Sequence, residues 1–181
     1  LACDTPCGTD NRTAASALWA GVKGPAAHQA GVAATGPPAA LPGLPGLSEV
    51  GPWTSREATS ARSVPGRLVV VGGGVVATEM ATAWQALGAR VTLLVRGKGL
   101  LGRMEPFAGE LVAEALTEAG ADVRTATSVE SVTRENGTVV VVTDAGDRIE
   151  ADEILFATGR KPRTDDIGLD TVGLEPGGWL P

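Results

Sequence analysis

The stretch RLVVVGGGVVATEM, residues 67–80, places a β-branched apolar run directly before three consecutive glycines and a segment with helical spacing. A second apolar run, VTLLV at residues 91–95, follows closely. The pattern predicts a β-α-β unit whose two parallel strands are buried on both faces. Five apolar residues recur at helical spacing before Gly88: Val76, Met80, Ala83, Trp84 and Leu87.

The chain beyond this unit continues as alternating elements. Pro106 begins a second amphipathic helix that closes at Gly120, and the short strand DVRT follows. Three alternating segments come next, joined by the hairpin signals Asn136-Gly137 and DAGD, and the apolar run EILFATG at residues 153–159 ends the pattern. The expected fold class is therefore α/β, with a Rossmann-like parallel sheet and an antiparallel hairpin layer.

The first 54 residues differ from the rest in composition, because they contain only five charged residues among many Ala, Gly and Pro. Prolines at positions 37, 38, 42 and 45 exclude a helix and indicate an extended linker. We expect residues 1–54 to be poorly structured and order to begin near Arg67. The chain starts at Leu1 without Met, and we expect it to be a fragment of a longer protein.

The overall composition is that of a globular protein, with 43% hydrophobic residues, 20% charged residues and a net charge of −6. The negative charge argues against nucleic acid as a partner. No run approaches the roughly 20 apolar residues of a membrane span, and no secretory signal pattern is present, so we expect a cytoplasmic protein without a membrane partner.

The glycines between the first strand and the helix fit a dinucleotide-binding turn. Gly72, Gly74 and Ala77 form the pattern G-x-G-x-x-A. The first turns the chain, the second brings the backbone close to a diphosphate, and the third must be small because helix and strand pack closely there. The free N–H groups and the positive dipole end of the helix then face the diphosphate. A tight turn without a ligand is the alternative.

The end of the second strand decides which dinucleotide is bound. An acidic side chain there would accept hydrogen bonds from the ribose hydroxyls of NAD. This chain instead has Arg96 directly after Val95, with Lys98 and Arg103 close behind. Positive charge at this place suits a 2′-phosphate, so we predict NADP(H), with NAD(H) as the second choice. Solvated surface bases are the alternative interpretation.

Several motifs, in this order, resemble the flavin-dependent pyridine nucleotide-disulfide oxidoreductases, which include glutathione reductase, dihydrolipoamide dehydrogenase and mercuric reductase. Residues 69–94 resemble the family's central nucleotide-binding motif. ATGRKP, residues 157–162, resembles its A-T-G-R-x-P segment, and Ala34 to Gly36 resemble its earlier A-T-G motif. The resemblance implies an NAD(P)-binding domain at residues 55–160, a remnant of the flavin-domain edge at 33–47, and a return toward the flavin domain at 161–181.

The resemblance also implies site residues. Thr35 and Gly36 would belong to an FAD site. Glu79 would lie near the nicotinamide, although a carboxylate favoured by the helix dipole is an equal alternative. Relatives that prefer NADH carry glutamate where this chain has Val95, and NADPH enzymes often add a second arginine at the position of Gly102. The candidate pyridine nucleotide contacts are Gly72, Gly73, Gly74, Val75, Val76, Ala77, Glu79, Arg96, Arg103, Val129 and Gly159.

The resemblance implies a full-length homodimer that transfers hydride from NADPH to FAD and on to a disulfide or another acceptor. The family's FAD-binding β-α-β unit, C-x4-C redox pair and C-terminal His and Glu have no counterpart in this sequence. We therefore assign no catalytic residue and expect the chain alone to be inactive. A stand-alone dinucleotide-binding module without catalysis is the alternative function.

The remaining candidates for chemistry lie near the N-terminus. Cys3 and Cys7 are separated by three residues instead of four, so we predict two ordinary thiols. His28, the only histidine, has no acid or second ligand nearby. No metal site is predicted.

Overall fold

The computed structural model describes residues 35–179. The chain divides into two compact units, of which the larger is Ala39–Arg160 and the other contains the described residues 35–38 and 161–179. In chain order, the described helices and strands are α1 (Leu47–Val50), α2 (Ser55–Ser60), β1 (Arg67–Val71), α3 (Val75–Ala86), β2 (Arg90–Leu94), α4 (Pro106–Glu118), β3 (Asp122–Arg124), β4 (Val129–Glu135), β5 (Thr138–Thr143), β6 (Arg148–Ala151), β7 (Glu153–Phe156) and a 3₁₀ helix (Leu169–Val172).

A parallel sheet forms the centre of the larger unit. Within the described residues it has four strands in the order β3-β2-β1-β7. Val70 in β1 pairs with Leu93 on one side and Leu155 on the other, and all three side chains are fully buried. The β-branched and aliphatic runs therefore form strands because both of their faces are covered.

Two hydrophobic clusters cover the two faces of this sheet. Alternate residues of a strand point to opposite faces, so neighbours such as Val69 and Val70 belong to different clusters. Helices α3 and α4 contribute Trp84 and Leu116 to the first cluster. The antiparallel strands contribute Val132, Val139 and Val141 to the second.

The antiparallel sheet has the strand order β4-β5-β6 in the described part of the chain. Its first hairpin turns at Asn136 and Gly137, whose φ angles are 51° and 85°. Positive φ at both central residues is what a type I′ hairpin turn requires. The α/β class with a parallel sheet and an antiparallel hairpin layer is thus confirmed.

Order begins well before Arg67, so that prediction is wrong. Leu47 and Val50 form one helical turn in the segment expected to be poorly structured, and both are buried in the second cluster. The Trp53 N–H donates to the Ile154 carbonyl oxygen at 2.8 Å, which attaches the segment to β7. A few apolar anchors therefore order a proline-rich stretch whose composition alone suggested a linker. The domain limits at 54 and 160 stay a prediction.

Helix α2 begins with a capping box that was not predicted from the sequence. The Thr54 side chain accepts a hydrogen bond from the Arg56 N–H at 3.2 Å, and the Glu57 carboxylate accepts from the Thr54 N–H at 2.8 Å. The hydrogen bond from the Thr54 hydroxyl lowers the pKa of Glu57. These bonds satisfy donors that the helix leaves unpaired at its first turn.

None of the helices within residues 35–179 is long and apolar enough to cross a membrane.

Candidate dinucleotide-binding site

The carboxyl ends of the parallel strands lie along one edge of the sheet. There the Gly72 N–H donates to the Leu94 carbonyl oxygen at 2.9 Å, and the Ala157 N–H donates to that of Val71 at 2.8 Å. The chain runs from β1 to β2 and β3 on one side of β1 and returns as β7 on the other. The strand order thus reverses between β1 and β7, and such a reversal is the usual ligand site of an open α/β sheet.

Gly72 turns the chain out of β1. Its φ of 140° is a conformation that is nearly restricted to glycine. A β-carbon at Gly72 would lie 2.5 Å from the Ala157 carbonyl oxygen and 3.3 Å from the β-carbon of Ala77. Ala77 is fully buried. The turn therefore has room for glycine at the first position of the motif and for a small residue at the third.

Gly73 packs against the loop that follows β2. A β-carbon at Gly73 would lie 2.5 Å from Cγ1 of Val95 and 3.5 Å from the Gly99 carbonyl oxygen. The Leu101 N–H donates to the Gly73 carbonyl oxygen at 2.6 Å. The glycine turn and the basic loop are consequently held together by direct contact.

Gly74 lies at the N-terminus of α3 and has open space around its α-carbon. A β-carbon there would meet no atom within 4 Å. The first helical bond runs from the Thr78 N–H to the Gly74 carbonyl oxygen at 3.1 Å, so the N–H groups of Val75 and Val76 have no acceptor within the helix. No side chain of Gly74 can cap them, and none is needed if an anion binds there. This arrangement suits a diphosphate.

Three cations follow β2 in the loop of residues 96–103. Arg96, Lys98 and Arg103 are all exposed, whereas Val95 is 2% exposed and belongs to the first cluster. Across residues 35–179, none of these three cations takes part in an ion pair. Their charges are therefore available to an anionic group of a ligand.

The other predicted contacts lie outside the glycine turn and the basic loop. Glu79 is exposed in the second turn of α3. The Val129 side chain packs against the second cluster, and the Gly159 carbonyl oxygen accepts from the Ala40 N–H at 2.9 Å. Thr35 lies, with Gly36, in the other compact unit. The structure thus brings together the glycine turn, the start of α3 and the basic loop.

The residues that support the site through backbone contacts were not predicted from the sequence. Ala157 provides the carbonyl group that Gly72 faces, and Leu101 provides the donor to Gly73. Leu100 anchors the loop because it is 4% exposed. The apolar pair Leu100-Leu101 inside the polar stretch RGKGLLGR was the available signal, since apolar residues in a basic loop indicate a buried anchor.

Within the part of the chain that the structure describes, no cluster of His, Cys, Asp and Glu could hold a metal ion. The two predicted ordinary thiols and His28 lie outside the described residues.

Comparison with known proteins decides the family. Residues 11–180 match the family described as "Pyridine nucleotide-disulphide oxidoreductase". The chain belongs to this family. The resemblance inferred from the motifs is thereby confirmed, and members of the pyridine nucleotide-disulphide oxidoreductase family use FAD and a pyridine nucleotide.

Among its relatives are several mercuric reductases. The chain is 42% identical over 144 residues to the enzyme of Shigella flexneri, which covers 78% of this chain and 25% of that protein. It is 40% identical over 141 residues to that of Acidithiobacillus ferrooxidans, with 78% and 25% covered. The chain therefore spans about a quarter of the length of these relatives.

Solved structures of the family show the same fold. The HOCl-induced flavoprotein disulfide reductase RclA from Escherichia coli is 26% identical and superimposes with a TM-score of 0.72, covering 78% of this chain and 33% of that one. LpdA from Mycobacterium tuberculosis is 29% identical, with a TM-score of 0.69 and coverage of 80% and 32%.

Proposed function

We propose that this chain is the NADPH-binding part of a flavoprotein oxidoreductase that transfers hydride from NADPH to FAD and on to a disulfide or another acceptor. The observation that carries the proposal is the uncapped N-terminus of α3 beside the open α-carbon of Gly74, where the strand order reverses. Backbone donors, a positive dipole end and free space coincide there. Those are the requirements of a dinucleotide diphosphate.

The choice of NADPH over NADH rests on charge. The loop after β2 offers Arg96, Lys98 and Arg103, and within residues 95–105 the sequence has one acid, Glu105. A guanidinium binds a phosphate by charged, bidentate hydrogen bonds. Val95 occupies the position of the glutamate found in NADH-preferring relatives, and its buried side chain has no acceptor for ribose hydroxyls.

FAD enters this proposal only as a cofactor of the longer flavoprotein of which this chain would be a part. When both cofactors are bound, NADPH supplies a hydride and FAD accepts it. Of the described residues, Thr35 and Gly36 are those assigned to FAD by resemblance, and two residues provide a small part of the surface that such a cofactor needs. We therefore expect this chain alone to bind NADPH and to be purified without flavin. By the family resemblance, we expect the whole protein to be a homodimer.

Gly74→Asp tests the nucleotide site with a variant that should fold. Aspartate is a favoured N-cap residue, and the space around Gly74 accommodates it, so helix α3 should be at least as stable as in the wild type. The same carboxylate would lie where the diphosphate binds. We expect the NADPH affinity measured by titration calorimetry to fall by about a hundredfold or more.

Three results would decide the matter. Wild-type chain that binds neither NADPH nor NADH rejects the proposal, and equal affinity for both rejects the NADPH preference. A Gly74→Asp variant that melts at or above the wild-type temperature and still binds NADPH with wild-type affinity rejects the position of the site.

A further inference from the structure

Gly109 of helix α4 is buried and faces the backbone of the basic loop. A β-carbon at Gly109 would lie less than 3.0 Å from the Leu100 carbonyl oxygen and 3.1 Å from its carbonyl carbon. Real β-carbons essentially never approach another atom within 3.0 Å. The atoms in the way are backbone, which cannot rotate aside as a flexible side chain can. The absence of a β-carbon at Gly109 therefore allows α4 to lie this close to the Leu100 backbone.

The same part of the loop is also held by the glycine turn. The Leu101 N–H donates to the Gly73 carbonyl oxygen at 2.6 Å, and Leu100 is buried in the first cluster. Leu101 has a φ of 51°, which residues other than glycine rarely adopt. Tertiary contacts, and not local preference, thus impose the shape of the loop at this point.

Leu100 and Leu101 lie between the two arginines predicted to meet the 2′-phosphate. Arg96 precedes them and Arg103 follows them in the same short loop. A displacement of Leu100 is consequently passed to the backbone of both arginines. Charged hydrogen bonds depend strongly on distance and direction, so a small displacement weakens them.

We propose that Gly109 is a positioning residue for nucleotide selectivity: it seats Leu100 against α4 and thereby sets where Arg96 and Arg103 meet the 2′-phosphate. The inference rests on the proposed function, because it requires that this loop bind the 2′-phosphate. It adds a residue on a different helix, remote in sequence from the glycine motif, to the determinants of that selectivity.

Gly109→Ala tests the inference. Alanine is the better helix former, so the substitution does not weaken α4 itself. Its methyl group can be accommodated only if α4 and the Leu100 carbonyl group move apart. We expect the ratio of NADH to NADPH dissociation constants to fall about tenfold, the lower end of what a charged hydrogen bond contributes. NADH affinity should change by less than about threefold.

Glu110→Ala is the matched control, since Glu110 is the exposed neighbour of Gly109 on the same helix and its truncation adds no atom beside the loop. It should keep the wild-type ratio. Hydrogen exchange on the wild type gives a second readout that does not depend on the variant folding. NADPH should slow exchange of the Leu101 amide at least about threefold more than NADH at equal saturation, because only NADPH restrains the basic loop.

The outcomes separate this inference from the proposed function. Wild-type chain without preference for NADPH overturns both. This inference alone is overturned if the wild type prefers NADPH and the folded Gly109→Ala variant keeps that preference. It is likewise overturned if the variant's affinities for NADPH and NADH fall by the same factor. If that variant does not fold, equal protection of Leu101 by the two nucleotides overturns it.

Discussion

Gly72 and Ala157 approach so closely that a β-carbon on Gly72 would lie 2.5 Å from the Ala157 carbonyl oxygen and 2.9 Å from its carbonyl carbon. Gly72 follows β1 and Ala157 follows β7, the two neighbouring strands between which the chain order reverses. The contact determines how closely the chain segments after β1 and β7 approach each other at the proposed nucleotide-binding site. It combines a steric limit with a backbone angle that side chains disfavour, so it should be sensitive to one methyl group.

Gly72→Ala should lower the free energy of unfolding by about 2–4 kcal/mol, because the variant has to accept a strained φ and move a backbone carbonyl. Urea unfolding followed by circular dichroism measures the loss. Gly74→Ala is the control, since its φ is −90° and a β-carbon there meets nothing within 4 Å. It should cost no more than about 1 kcal/mol. Equal losses in the two variants would contradict the steric argument.

Leu47 tests whether the proline-rich segment belongs to the folded unit. Its side chain is 6% exposed and packs in the second cluster, which also contains Val132. Leu47→Ala should cost about 2–3 kcal/mol, because it removes buried methyl groups and leaves a cavity. Leu41→Ala removes the same atoms at a position that is 39% exposed, so it should cost about 1 kcal/mol or less. If the two costs measured by urea unfolding are alike, the segment is not packed as described.

Asp152 should make stability depend on pH. Its carboxylate accepts from the Arg67 backbone N–H at 2.8 Å and pairs with the Arg67 guanidinium at 3.0 Å. The hydrogen bond from the guanidinium lowers the pKa of Asp152 in the folded state. The unfolded chain therefore binds the proton first as pH falls. The stabilisation is present above the unfolded pKa of about 3.9 and is lost as pH falls through the lower, folded value.

Urea unfolding at pH 7 and at pH 3 measures this dependence. Asp152→Asn should be less stable than the wild type at pH 7, and the difference should shrink at pH 3. Glu118→Gln is the control, because the exposed Glu118 makes no ion pair with any residue from 35 to 179. If the free energies of unfolding of Asp152→Asn and the wild type differ by the same amount at pH 7 and at pH 3, the loss comes from packing and not from the carboxylate charge.

The sequence predicted those parts of the fold that leave a periodic pattern. The β-α-β unit, helix α4 and the Asn136-Gly137 hairpin each follow from residue spacing or from turn residues whose conformational preference is local. The segment containing Leu47 and Trp53 could not be predicted in the same way. Its order comes from contacts with strands about a hundred residues later in the chain, and composition carries no record of such contacts.

The same distinction between local patterns and long-range contacts applies to the candidate site. The glycine turn and Arg96 were identified because strand, turn and helix are adjacent in sequence. The support from Gly109 and Leu101 was missed because it consists of backbone contacts between separate segments. A helical glycine that accommodates a neighbouring loop is indistinguishable, in one sequence, from a glycine that a helix merely tolerates.

Arg96→Glu is the direct test of nucleotide preference. A charged hydrogen bond to the 2′-phosphate contributes about 1.5–3 kcal/mol, or roughly tenfold to hundredfold in affinity. Exposure of Arg96 favours the lower end. The variant should lose at least about tenfold in NADPH affinity, since the carboxylate repels the phosphate, while NADH affinity stays the same or rises because the carboxylate accepts from the ribose hydroxyls.

Charge reversal at a distant site separates a local contact from the effect of net charge. Arg62 is exposed and, within the described residues, makes no ion pair, so Arg62→Glu changes the net charge by the same amount away from the basic loop. Titration calorimetry with both nucleotides at two salt concentrations should show that the NADPH preference survives in Arg62→Glu and that in the wild type it weakens as salt rises. Lys98 and Arg103 stay in place in both variants and limit the loss. Arg96 does not select the nucleotide if Arg96→Glu lowers NADPH and NADH affinity by the same factor. The same conclusion follows if Arg62→Glu lowers NADPH affinity as much as Arg96→Glu does.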